Sequence, residues 1–241
     1  MDELNEVVEK IEKEFKPISI FLHGSMATKT TNAKSDYEIG VIFENERNVS
    51  RSEIREIIPD FRFSIFPFRK QELLEYSIDI PFQKTIFINS LIKSAKTLKG
   101  EKIIENLKET KITTLDLLLD TRFNAGYALA AVQNYKNGNT ELANSLFYKS
   151  CLFATRNLIH CISGSLEVNY DSIFDCSQKI EIADEYREVI KKAFDLRKGR
   201  IDKIDNTLYY KNVSYINMCV EKILLEKLSK EKEKKRSDKY V

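Results

Sequence analysis

The chain has little of what imidazole, disulfide or zinc chemistry requires. Its 241 residues include two histidines, four cysteines and no tryptophan. The cysteines have no C-x-x-C spacing and lie in apolar helical stretches, so they are predicted to be buried, reduced thiols. They are Cys151, Cys161, Cys176 and Cys219. Few candidates are left for imidazole chemistry, and neither a structural zinc nor a disulfide framework is predicted.

Long apolar runs and a large net charge are absent as well. No stretch reaches the roughly 18 apolar residues of a membrane span, and residues 1–15 form an acidic amphipathic pattern, not a basic leader with an apolar core. We therefore expect no membrane contact and a cytoplasmic location. The 39 basic and 37 acidic residues give a formal charge of +2, which supplies no bulk field to recruit nucleic acid.

The hydrophobic pattern predicts an α+β fold in which a mixed β-sheet domain precedes an antiparallel α-helical bundle. Strands are expected at 18–23, 36–43 and 61–68, with helices between them. From Thr113 onward the sequence predicts long helices with few breakers. The predicted divisions are a first domain over 1–105, a helical bundle over 106–229, and a charged tail over 230–241 that is expected to be disordered.

The most informative segment is FLHGSMATKTTNAKSDYEIGVIF, residues 21–43, which joins two predicted strands. Asp36 and Glu38 are two residues apart, so in an extended strand both side chains project from one face and can share a hard cation. Gly24 has no Cβ and lets backbone N–H groups approach a polyphosphate, and Ser25 adds a hydroxyl. The pattern predicts a site for Mg²⁺ and nucleotide phosphates.

The order of these features resembles the polymerase β-type nucleotidyltransferase superfamily. An apolar strand ends in Gly24-Ser25, a spacer of ten residues follows, and Asp36-x-Glu38 then begins a second apolar strand. The similarity is greatest to the minimal and aminoglycoside-modifying nucleotidyltransferases. It implies a sheet domain over about the first 100 residues. Asp36 and Glu38 would be the catalytic residues and metal ligands, and Gly24 and Ser25 would bind the β and γ phosphates.

The resemblance implies an Mg²⁺-dependent enzyme that moves a nucleoside monophosphate, AMP from ATP above all, onto a hydroxyl of a small molecule or protein. The family usually carries a third carboxylate on the later strand. Strand parity puts Ser64 at that position, with Asp60 as a substitute only if the register differs. An alternative is therefore a decayed nucleotide-binding or partner-binding protein of toxin-antitoxin type. The preferred nucleotide, the acceptor and the general base are not predicted. Nearby cations that could assist, although solubility is the favoured role for each, are Lys29, Lys34, Arg62, Arg69 and Lys70.

The helical part resembles an HEPN-like domain, which is found fused to minimal nucleotidyltransferases, and a homodimer could form through this bundle. Some HEPN proteins are ribonucleases with an Arg, then four to six residues, then a His on one helix. Here Arg156 and His160 are separated by only three residues. An HEPN ribonuclease is accordingly the least favoured of the three functions.

Overall fold

The computed structural model describes residues 3–31, 35–80 and 82–237. The chain divides into two compact units, Met1–Lys111 and Ile112–Val241. The first unit contains a four-stranded mixed sheet with helices, and the second is helical. The predicted α+β fold class is confirmed. Among the described residues, no helix has the length and apolar character needed to cross a membrane.

The sheet of the first unit has the strand order β3-β2-β1-β4. Its strands are β1 Ser19–His23, β2 Tyr37–Phe43, β3 Phe63–Arg69 and β4 Lys96–Gly100. Strand β1 pairs antiparallel with both β2 and β4, whereas β2 and β3 are parallel. The helices of this unit are α1 Glu3–Phe15, α2 Gly24–Ala27, α3 Arg51–Ile57, α4 Lys70–Leu74 and α5 Lys84–Ser94, and a 3₁₀ turn spans Ile104–Asn106.

Both faces of this sheet are covered, which explains why its strands are apolar on both sides. On one face, Ile39 and Val41 of β2 pack in a core with Ile11 of α1 and Ile54 of α3. On the other face, a second core contains the following buried residues of β1, β2, β3, α4 and α5: Phe21, Ile42, Phe68, Leu73, Ile88 and Leu91. The candidate site lies on this second face, at the end where β1 leaves the sheet and β2 enters it.

A glycine in β2 makes room for the largest side chain of that second core. A Cβ on Gly40 would lie 2.0 Å from a ring atom of Phe21, its partner in the β1–β2 register. The Phe21 ring therefore crosses β2 directly above Gly40, and its centroid stacks 6.0 Å from that of Phe68. This packing fixes the sheet face immediately behind the candidate site.

The second unit contains two long helices and several shorter ones. They are α6 Thr114–Lys136, α7 Thr140–Ser163, α8 Tyr170–Ser177, α9 Asp184–Arg197, α10 Asn206–Ser214 and α11 Lys222–Ser237, with a π-helical segment Tyr215–Glu221 between the last two. Thr113 begins α6 with a capping box, because its side chain and that of Asp116 each accept a hydrogen bond from the other residue's backbone N–H.

The charged segment 230–241 was predicted to be a disordered tail, but α11 continues through Ser237. Lysine and glutamate are good helix formers and can occupy a solvated helix face, so their density does not end the helix. Thr114 Oγ1 also donates a 2.7 Å hydrogen bond to Glu231 Oε1, which ties this part of α11 to α6. The remaining residues of the predicted tail, 238–241, lie outside the described residues.

Candidate active site

Gly24 and Glu38 meet where β1 ends. The register pairs His23 with Glu38, so the residue after His23 begins α2 beside the Glu38 side chain. Gly24 has φ +68°, in the left-handed region that favours glycine, and a Cβ there would lie 1.7 Å from Glu38 Oε2. The glycine thus leaves the space in which the carboxylate sits. The segment predicted as a turn at Gly24-Ser25 is the start of a four-residue helix.

Asp36 and Ser64 complete this group of side chains. Ser64 is the register partner of Glu38 on the parallel strand β3, as strand parity predicted. Its hydroxyl donates a 2.7 Å hydrogen bond to Asp36 Oδ2. Asp36, Glu38, Ser64 and Gly24 are therefore brought together at one corner of the sheet. A hydroxyl occupies the place where the resemblance implies a third acid.

Ser25 and the spacer lie next to this corner. The backbone carbonyl of Ser25 accepts hydrogen bonds from Thr30 N–H, at 3.0 Å, and from Thr28 Oγ1, at 3.4 Å. Within the described ranges 3–31, 35–80 and 82–237, the Ser25 hydroxyl itself forms no hydrogen bond. Lys34, one of the predicted assisting cations, lies outside the described residues.

Asp60, the predicted substitute for the third acid, is engaged elsewhere. Its carboxylate accepts hydrogen bonds from the backbone N–H of Arg62, at 2.9 Å, and from the Arg62 guanidinium, at 2.7 Å. These hydrogen bonds lower the pKa of Asp60. Arg62 also contacts Glu3, at 2.9 Å. The other predicted cations of this region include two in surface ion pairs, Arg69 with Glu72 and Lys70 with Glu101.

His23 lies beneath the acidic corner and is buried, with only 6% of its surface exposed. Burial lowers the pKa of its imidazole to about 4, although the nearby Asp36 carboxylate acts in the opposite direction. The ring is therefore neutral at pH 7 and adds no positive charge to the site. It packs against Phe66 and Phe87, with centroid distances of 5.8 and 6.2 Å. Sequence reasoning did not identify this aromatic surrounding, because the three rings are distant in the chain.

The donor set suits a hard cation that shares its coordination with a substrate. Asp36 and Glu38 supply carboxylate oxygens, which Mg²⁺ prefers, and phosphate oxygens and water usually complete its octahedron. Among residues 3–31, 35–80 and 82–237, no three Asp, Glu, His or Cys side chains form a ready metal cage.

In the second unit, Arg156 and His160 do not form an open pair of catalytic groups. Arg156 is buried, and its guanidinium lies 3.0 Å from Asp120 Oδ2 in an ion pair between α7 and α6. Asn157 donates to the same oxygen at 2.8 Å. The arginine that the ribonuclease alternative requires is thus neutralised inside the bundle.

Comparison with known proteins identifies the class of the first unit. Residues 5–98 match the family model described as "Polymerase beta, Nucleotidyltransferase". The first unit therefore carries a polymerase β-type nucleotidyltransferase domain, and the predicted resemblance is confirmed for this part of the chain. The HEPN-like character of the helical part stays a prediction.

Among solved structures, the chain is similar to a spectinomycin adenyltransferase, AAD(9), from Enterococcus faecialis, crystallised with ATP and spectinomycin. The TM-score is 0.58 at 17% sequence identity, and the match covers 90% of this chain and 99% of that one. At this identity the likeness concerns the fold, which the two chains share over nearly their whole length. No curated protein matches the chain.

Proposed function

We propose that the protein is an Mg²⁺-dependent nucleotidyltransferase that moves a nucleoside monophosphate, AMP from ATP above all, onto a hydroxyl group. The nucleotidyltransferase domain and the adenyltransferase-like fold support this class of reaction. An acceptor oxygen would form a bond to the α-phosphorus while the bond from that phosphorus to the pyrophosphate oxygen breaks; pyrophosphate would leave, and the hydroxyl proton of the acceptor would pass to solvent water. The AAD(9) structure, with ATP and spectinomycin, motivates a small-molecule acceptor.

The residues at the sheet corner would divide the work of binding. Asp36 and Glu38 would hold Mg²⁺, and Ser64 would orient Asp36 through its 2.7 Å hydrogen bond. Because Gly24 has no Cβ, the Glu38 carboxylate would have room beside it and the phosphates could approach the backbone. The Ser25 hydroxyl would donate a hydrogen bond to these phosphates. When bound, Mg²⁺ neutralises the triphosphate and stabilises charge on the attacking and leaving oxygens.

One observation carries the proposal most directly. The Glu38 carboxylate fills the space that a side chain at Gly24 would occupy. The Asp36 carboxylate is held at the same corner by the hydrogen bond that it accepts from Ser64. A solvated strand face would require no such fit between a left-handed glycine and an acid. The hydroxyl at Ser64 also favours the second candidate, a protein that binds nucleotide without transferring it. Without a third acid, the two carboxylates can hold one metal ion more easily than the pair of ions that an efficient transferase uses.

A labelling experiment separates these two candidates. Full-length protein is incubated with ATP labelled at the α-phosphate, with Mg²⁺ or with EDTA, and with hydroxylated small molecules as acceptors. We expect label on an acceptor, or on the protein itself, only with Mg²⁺, and no label when ATP carries it at the γ-phosphate. Mg²⁺-dependent ATP binding without transfer would support the decayed protein. Failure of Mg²⁺ to promote ATP binding would contradict both.

Substituting Gly24 tests the fit at the corner. In Gly24→Ala the new Cβ would require Glu38 to move and would also strain the left-handed backbone. We expect Mg²⁺-dependent ATP binding to weaken by about 100-fold, because a displaced ligand loses several kcal/mol of coordination. Isothermal titration calorimetry with a non-hydrolysable ATP analogue measures this.

Gly138→Ala is the matched control for that variant. Gly138 also has positive φ, +81°, but an added Cβ meets no atom within 4 Å. It should lower stability by about 1 kcal/mol through backbone strain alone and leave ATP binding unchanged. Equal ATP affinity in the Gly24 and Gly138 variants would show that the contact between Gly24 and Glu38 does not matter for the nucleotide.

The ribonuclease is not part of this proposal, because Arg156 already forms a buried ion pair with Asp120. The homodimer through the helical bundle stays a prediction. Several leucines and other apolar side chains of the second unit are exposed, which is compatible with such a contact but does not specify one.

A further inference from the structure

The first unit contains a cavity of about 430 Å³ that opens beside the acidic corner. Its walls come from β3, from the segment before α3 and from the segment before α5, and Glu38 and His23 lie at its inner end. A cavity of this size is within the range of sites for small molecules. Gly24 and Ser25, where the phosphates of ATP would bind, do not line it. Glu38 therefore separates the proposed phosphate site from this second space.

One wall of the cavity is a continuous series of rings. Phe82 stacks on Phe87 with centroids 6.0 Å apart and an interplanar angle of 16°. Phe87 meets the edge of His23, and His23 packs against Phe66. Flat apolar walls of this kind favour a flat ring in the ligand, which can stack or make edge contacts.

The series of rings ends in a cation. The Arg51 guanidinium lies over the Phe66 ring, 4.4 Å from its centroid. In the described part of the chain it forms no hydrogen bond or ion pair, so its N–H donors are available for a carboxylate or phosphate. Arg47 also lines the cavity and carries a second positive charge.

When the Glu38 carboxylate is assigned to the metal, the remaining acids of the cavity do not fully cancel these two arginines. The lining also contains Arg69 and Glu72, which pair at 2.6 Å and cancel each other, and two further acids, Glu38 and Asp79. If Glu38 serves the metal, the cavity beyond it carries an excess of positive charge. Such a field favours an anion and disfavours an amine-rich ligand.

We propose that this cavity binds the acceptor, and that the acceptor is a flat, ring-containing molecule with an anionic group and a hydroxyl. The inference rests on the proposed transfer reaction. The ring packs along Phe82, Phe87 and Phe66, the anionic group meets Arg51, and the hydroxyl points to Glu38. Glu38 would then lie between the acceptor hydroxyl and the phosphate site at Gly24 and Ser25. This acceptor differs in charge from an amino-sugar antibiotic.

Binding of three matched probes tests the proposal without any turnover. The probes are para-coumarate, its uncharged methyl ester, and the cationic phenol tyramine, each titrated calorimetrically into full-length protein with Mg²⁺ present and without nucleotide. We expect para-coumarate to bind most tightly. Arg51→Gln should weaken its binding by about 10- to 100-fold, as loss of a charged hydrogen bond implies, and should leave the ester unaffected.

Arg55→Gln is the matched control, since Arg55 lies on the same helix but stacks on Phe61, outside the cavity. Its para-coumarate affinity should equal that of the unmodified protein, and thermal melting checks that both variants fold. A non-hydrolysable ATP analogue with Mg²⁺ should bind together with para-coumarate. Displacement by the analogue would instead make the cavity a nucleobase site.

Several results would overturn the proposal. These are no binding of para-coumarate at millimolar concentration, equal affinity for the three probes, tightest binding of tyramine, displacement of para-coumarate by the analogue, or no effect of Arg51→Gln. Because the probes are measured without nucleotide, failure of AMP transfer would leave an Arg51-dependent anion site intact. Conversely, transfer of AMP to a cationic acceptor would agree with the proposed function but would refute the proposal that the acceptor is an anionic ring compound.

Discussion

Replacing Asp36 by Asn should reduce nucleotidyl transfer by about 1,000-fold or more, because several kcal/mol of metal-dependent stabilisation are lost with one carboxylate charge. The amide has nearly the same shape and can still accept the hydrogen bond from Ser64. The fold should therefore be retained. The measurement is transfer of α-labelled AMP at saturating ATP over a range of Mg²⁺ concentrations, together with Mg²⁺-dependent ATP binding.

Asp60→Asn is the control for this prediction. Asp60 is also an acid near the start of β3, but its carboxylate accepts hydrogen bonds from Arg62 and not from the residues of the sheet corner. Its transfer rate should stay within a few-fold of the unmodified protein, since no metal charge is removed. If Asp60→Asn abolished transfer while Asp36→Asn did not, the assignment of the metal to Asp36 and Glu38 would be wrong.

Much of the sheet corner could be predicted from local sequence. A strand has a two-residue period, so the spacing of Asp36 and Glu38 places them on one face, and the same parity on the next strand leads to Ser64. The register bears out this placement of Ser64 beside Glu38.

The cavity could not be predicted in the same way. Its lining extends from His23 to Phe87, and it forms only when β3 and the segments before α3 and α5 are packed together. Periodicity assigns Phe66 and Phe87 to apolar faces but does not indicate that they meet through His23. The contact between Gly24 and the Glu38 carboxylate is likewise a tertiary feature. Sequence spacing thus predicts the group Asp36, Glu38 and Ser64, whereas the cavity beside this group depends on tertiary packing.

The helical part shows the same limit for Arg156. The i, i+4 spacing of Arg156 and His160 correctly puts both on one helix, but the partner of the arginine is 36 residues earlier in the chain. A pattern within one helix cannot reveal an ion pair across two helices. The π-helical segment at Tyr215–Glu221 was not predicted either, because the apolar spacing continues through it.

The Asp120 carboxylate is the centre of a buried polar network in the second unit. Its Oδ2 accepts hydrogen bonds from Arg156 at 3.0 Å, Asn157 at 2.8 Å and Asn124 at 3.1 Å. Asp120 is only 4% exposed, and Arg156 Nε has no hydrogen-bond partner in the described part of the chain. The arginine charge therefore depends on this one carboxylate for its compensation.

Asp120→Ala should lower the free energy of unfolding of the second unit by about 3–5 kcal/mol, because it leaves the Arg156 charge buried and unpaired. Urea unfolding followed by circular dichroism at the helix band measures this change. Asp171→Ala is the control, since Asp171 pairs with Lys198 at 2.7 Å but is partly exposed. A surface pair of this kind contributes only about 0–1 kcal/mol.

A double variant determines whether the loss arises from the unpaired charge. Asp120→Leu combined with Arg156→Met removes both charges and fills a similar volume with apolar atoms, so most of the lost stability should return. A loss in the double variant as large as in Asp120→Ala would mean that Asn124 and Asn157, left without their shared acceptor, dominate the cost. A loss below about 1 kcal/mol in Asp120→Ala would contradict burial of the ion pair. Arg156 would then be open to solvent, and the ribonuclease alternative would regain its main requirement.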